Sequence, residues 1–230
     1  MRQVRHRGSA EAVVREAMMR ARTNVITIIE RLREQGYRFG DPWNDQGARA
    51  PHAPPDDRTP AFVAWLEKRW GPIPMTARLW IEIVGDVSLL GTHPDWPKGL
   101  VTDPLVVEFE YKSWPFAERD RRAARRHFKS EHDSWKLNLK EGGDLGPFAL
   151  DVAPDALHKT NISGGAPYGV LVPDASVDAT FRYDDGALLP FIEYLRLVFR
   201  CGGFPGTWRR NCGPHVTAAR RALSKGLLEL

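Results

Sequence analysis

The chain has 230 residues, 42% of them hydrophobic and 10% aromatic, with eight tryptophans, enough to bury the roughly 70% of unfolded surface expected of one domain this size. That excludes a wholly disordered chain, and the absence of any apolar run near ~18 residues excludes a membrane-spanning helix. Two cysteines exclude a disulfide scaffold and a four-cysteine zinc site, while a net charge of +4 leaves acidic and basic partners open.

From Ser9 to about Gln35, Val14, Met18, Ala21, Val25, Ile28 and Leu32 recur at steps of three and four, the stripe of an amphipathic helix capped by Ser9 and ended by Gly36. The next stretch, 41–58, is rich in Pro, Gly, Asp and Asn and reads as a flexible loop. Thr59-Pro60 starts a helix that Gly71-Pro72 stops, with Phe62, Val63, Leu66 and Trp70 on one side. Pro74 opens a third, carrying Leu79, Trp80, Ile83 and Val84 to Gly85.

The period then changes to two. Strands are expected over 87–90, 105–111, 135–139, 148–152, 169–172 and 179–183. In the second, Val107, Phe109 and Tyr111 face inward and Glu108 and Glu110 outward. In the third, Trp135, Leu137 and Leu139 share a face. Between them, 115–134 reads as a basic helical insert. Helices over 189–201 and 215–228 close the chain. The order predicts a single α+β domain over 1–230, its mainly antiparallel sheet flanked by N-terminal helices and a C-terminal helix.

Charge is segmental. Residues 1–38 hold 9 basic and 4 acidic side chains, 112–140 hold 9 and 4, and 196–230 hold 7 and 1. Residues 39–111 hold 6 and 11, and 141–195 hold 2 and 9, so folding can create faces of opposite sign. No helix-turn-helix, ribonucleoprotein or zinc-finger pattern accompanies the basic stretches. Nucleic-acid binding through Arg121, Arg122, Arg125 and Arg126 is therefore an alternative, one that predicts affinity falling steeply with salt.

Cys201, Cys212 and His215 lack a fourth ligand, and His127 and His132, five apart, fall on different helix faces, so neither a metal nor another cofactor is expected. His93 and Asp95 lie on a loop that turns at Pro94, and Asp155, His158 and Lys159 form a second polar knot. Either histidine can serve as the general base of a small hydrolase, oriented by Asp95 or Asp155, with Ser88 or Ser163 supplying a hydroxyl. No G-x-S-x-G elbow is present, and Ser163 to Gly169 lacks the Lys-Ser/Thr of a phosphate loop. Loop tryptophans, Trp96 and Trp114 among them, suit a protein interface and equally suit lids on a core edge.

Gly71-Pro72-Ile73-Pro74, a helix with Leu79-Trp80 and Glu82, and Val84-Gly85 before a strand together resemble the core signature of the SUKH superfamily. Phe191 to Leu195 followed by Gly202-Gly203-Phe204-Pro205-Gly206 is similar to its closing element. The likeness spans 59–205 in layout. It departs from the family at Val84-Gly85-Asp86, which lacks the usual asparagine, in the insert and in the tail beyond Pro205. The resemblance implies a non-enzymatic protein-binding module. Bacterial members act as immunity proteins that occlude toxins, often nucleases, and eukaryotic relatives are regulators. Asp184 and Asp185, in the acidic segment, would meet a basic toxin. The start, MRQVRHRGSA, has arginines without a following apolar run, so cytoplasm is the expected location.

Overall fold

The computed structural model describes residues 2–40, 50–112, 121–208 and 212–230, with backbone alone for 2–7. The α+β order holds: six α-helices and nine short strands among these residues, with every strand pairing antiparallel. None of the helices is long and apolar enough to cross a membrane.

Helix α1 (Arg2–Glu34) starts ahead of Ser9, which is an interior helical residue and no cap. Its stripe Val14, Met18, Ala21, Val25, Ile28 and Leu32 is buried as the period requires. Asn24, also buried, holds the end of the chain: Nδ2 donates to Leu228 O and Oδ1 accepts from Leu228 N, both at 2.8 Å. Helix α2 (Thr59–Trp70) has proline in its first turn and buries Phe62, Val63, Leu66 and Trp70. Helix α3 (Met75–Leu79) runs into a π-helical turn over Trp80–Val84, whose Trp80 is wholly buried. Gly85 leaves that turn at φ 86°, and a Cβ there would stand 2.4 Å from Ala53 O, so only glycine lets the two backbones pass.

The strands are β1 (Arg38–Phe39), β2 (His52–Ala53), β3 (Asp86–Ser88), β4 (Gly91–Thr92), β5 (Val106–Val107), β6 (Ala149–Ala153), β7 (Tyr168–Leu171), β8 (Thr180–Tyr183) and β9 (Ala187–Pro190). They form sheets β1-β4, β2-β3-β5 and β6-β7-β8-β9. A hydrogen bond of 2.9 Å from Glu108 N to Val152 O links the second sheet to the third. Helix α5 (Phe191–Arg200) lies on the larger sheet, with Tyr194 stacked on Phe181 at 4.5 Å between ring centres, and Phe191 5.5 Å from Trp80. Helix α6 (Gly213–Ser224) buries Val216 and Leu223 and packs on α1, whose Arg31 Nη1 donates to Leu223 O at 2.8 Å.

Several expectations are corrected. The loop over 41–58 contains β2, paired with β3; its residues 41–49 lie outside the described ones. The insert is helix α4 (Arg121–Lys140), which absorbs the strand expected over 135–139. Leu137 and Leu139 are exposed there, because an alternation of two cannot keep its residues on one face of a helix. Strand pairing in 105–111 stops at Val107, and Glu108 and Glu110 are buried rather than outward. Strand β9, over 187–190, takes 189–190 from the front of the helix expected over 189–201, and α6 ends short of 228.

Candidate functional site

After β6 the chain turns at Asp155, whose Oδ1 accepts from Leu157 N at 2.9 Å and His158 N at 3.3 Å, an Asx turn leading into the short 3-10 helix His158–Thr160. Asp155 Oδ2 also holds His158 Nδ1. Burial acts to raise the Asp155 carboxyl, and the bonds from His158 and Leu157 outweigh it and hold it below the ordinary value.

Lys159, the next residue, points inward. Its Nζ is 2.6 Å from Asp103 Oδ1 and 4.3 Å from the Tyr168 ring centre, and both charged side chains are buried. Burial lowers the Lys159 ammonium, and Asp103 opposes that. Asp103 Oδ2 accepts from the hydroxyls of Tyr168 at 3.2 Å and Tyr183 at 3.4 Å. Tyr194, whose hydroxyl is buried with no partner among the described residues, completes this aromatic lining.

The facing wall is the loop between β4 and β5. His93 Nδ1 accepts from Asp95 N at 3.1 Å, which leaves the proton on Nε2, donated to Gln35 Oε1 at 3.2 Å. The imidazole stacks on Trp96 at 4.7 Å and 9°, and burial holds it below its ordinary pKa. Trp96 in turn meets Phe204 edge-on at 4.8 Å. Between the walls lies a cavity of about 430 Å³, lined among others by Arg38, Leu90, His93, Trp96, Lys98 and Lys159.

The same end of the larger sheet carries two more segments. The exposed run 161–166 leads into β7, and the turn Asp184-Asp185-Gly186 joins β8 to β9, all three residues at positive φ (43°, 58° and 88°). The segments touch: a Cβ on Gly164 would stand 2.1 Å from Asp155 Oδ1, and one on Gly165 2.8 Å from Asp185 Oδ1. Arg182 Nε clamps the approach by donating to Pro167 O at 2.9 Å. Ile162 stands 47% exposed at the tip.

His93, Asp95, Trp96, His158, Asp184 and Asp185 therefore fall on loops along one rim. The two histidines are not a pair: His93 lines the cavity, His158 does not, and the Asp95 carboxylate does not orient His93. The arginines lie elsewhere. Arg121 Nη2 is 2.5 Å from Asp56 Oδ1, and its Nε bonds the fully buried Glu110, which also pairs with Lys112 at 2.8 Å. Asp86 alongside accepts from the backbone of Phe109, Glu110 and Lys112. Arg125 lies over Trp65 at 5.1 Å and Phe62 at 5.9 Å, while Arg122 and Arg126 are exposed. Helix α4 thus packs on the domain, its Ala124 and Phe128 buried, and its later part sets His132 edge-on and Trp135 tilted against Phe148 ahead of β6, whereas the rim follows β6. Trp114 lies outside the described residues.

Sequence reasoning passed over Asp103 and the tyrosines around it. The signal that pointed there was Lys159 itself: it and Arg182 are the two bases of the acidic segment 141–195, and both are paired to carboxylates, Asp103 and Asp151. Among the described residues, no three His, Cys, Asp or Glu converge as metal ligands, and burial raises the Cys201 thiol to about 11. Comparison of the chain with protein-family models, with curated proteins and with solved structures finds no match.

Proposed function

We propose that this chain is a non-enzymatic binding module whose rim takes a protein partner, as the SUKH resemblance implies for immunity-type domains. The observation that carries this reading is the placement of half-buried Asp184 and exposed Asp185 on a left-handed turn, with Asp185 against Gly165 of the exposed 161–166 segment that also holds Ile162. A basic protein, such as a nuclease toxin, is steered to such an acidic turn and gains an apolar contact on arrival. The engagement of both His93 nitrogens within the protein argues against His93 as a general base, since a base needs a free lone pair directed at substrate, and leaves the hydrolase alternative to His158, which Asp155 holds through Nδ1.

The test is charge reversal. The reading expects the chain to retain one stoichiometric protein from its native lysate after nuclease treatment, with association slowing as salt rises. Asp184→Lys with Asp185→Lys is expected to slow that association about tenfold or more at low salt. An unchanged rate and salt dependence would remove the acidic turn from recognition.

A further inference from the structure

The cavity between the 93–104 loop and Lys159 has its own chemistry. Three cations line it, Arg38, Lys98 and Lys159, and no carboxylate does among the described residues. Asp103 covers Lys159 from behind at 2.6 Å, whereas Arg38 and Lys98 are exposed and carry no ion pair to a described residue. The charge therefore grades from a neutralised pair at the buried base to two open cations at the mouth. The walls between are apolar, formed by Leu90, Trp96 and Leu100, with Trp96 fixed by its stacking on His93. The volume, about 430 Å³, falls in the range of small-molecule sites.

We infer that this cavity binds a small organic anion, a carboxylate on a flat apolar body, with the body against Trp96 and Leu90 and the acid group facing Arg38 and Lys98. The apolar walls supply area and lower the local dielectric, and the mouth cations select for negative charge. Binding of this kind needs no protein partner, so it stands or falls apart from the rim's role in recognition.

The test uses 1-naphthoate and its neutral isostere 1-naphthamide, titrated into the full chain by calorimetry and by NMR on the indole N–H signal of Trp96. One naphthoate is expected per chain, shifting the Trp96 signal, with naphthamide about tenfold weaker. Arg38→Gln with Lys98→Gln is expected to bring naphthoate down to the amide's affinity. Lys136→Gln with Lys140→Gln, an equal charge change on the exposed side of α4, is expected to leave it unchanged. Thermal melting of both variants at the wild-type temperature establishes that the fold is intact. Equal affinity for the two probes, a wild-type affinity in the mouth variant, or binding that leaves Trp96 unmoved would each overturn the inference.

Discussion

Lys159 Nζ sits 2.6 Å from Asp103 Oδ1 with both side chains out of water, and this pair ties the loop after β6 to the segment before β5. Lys159→Met leaves a buried carboxylate facing two tyrosines and is expected to cost about 3–5 kcal/mol in urea unfolding. Adding Asp103→Asn removes the stranded charge while keeping an acceptor for Tyr168 and Tyr183, so the double variant is expected to recover a large part of that loss. Simple addition of the two single losses would show that the charges do not act as a pair.

Asp151 governs a pH dependence. Burial pushes its carboxyl from 3.8 up to about 7, with Arg182, 2.5 Å away, opposing. A carboxyl that holds its proton more tightly when folded contributes stability that is full below the unfolded value, near pH 4, and lost as pH rises through 7. Asp151→Asn has no such loss. Its stability relative to the wild type is expected to improve between pH 4 and 8 by at least about 1 kcal/mol. A constant difference across that range would contradict the assignment.

Arg121 is a structural cation in this account. Arg121→Ala leaves Glu110, which is fully buried, with Lys112 as its remaining ion-pair partner among the described residues and is expected to lower stability by about 2–4 kcal/mol. Arg121→Lys is expected to restore a part, because an ammonium cannot reach Glu110 and Asp56 with a planar fork. Partner capture by the folded Arg121→Lys protein is expected to match wild type. Loss of capture without loss of stability would return the arginines to the interface.

The residues that were legible from sequence are those whose fate is decided locally. Pro60 in the first turn and Gly71 at φ 85° bracket α2 because both act within a turn, although Thr59 is a helical residue and not the cap, and the α1 stripe is buried because its period has one solution. Trp135-Leu137-Leu139 misled because alternation needs a partner strand to become a strand, and α4 carries those residues past the sheet. Glu108 and Glu110 were read as outward for the same reason; the burial of Glu110 depends on Arg121 and on the backbone that Asp86 collects, both distant in sequence. The loops of His93 and His158 were visible as polar knots. The placement of the His158 loop beside the Asp184-Asp185 turn depends on antiparallel pairing of β6, β7 and β8, and the His93 loop is joined to it through the Asp103–Lys159 pair, which spans 56 residues.

The central claim is that a protein partner docks on the rim. A photo-crosslinking residue placed at Ile162, on the rim, and separately at Leu137, exposed on α4 beyond the opposite end of β6, tests this most directly in the native lysate. The account predicts one protein crosslinked from position 162, suppressed by Asp184→Lys with Asp185→Lys, and none from position 137. A partner that is retained by the chain yet crosslinks from position 137 and not from position 162 would contradict it.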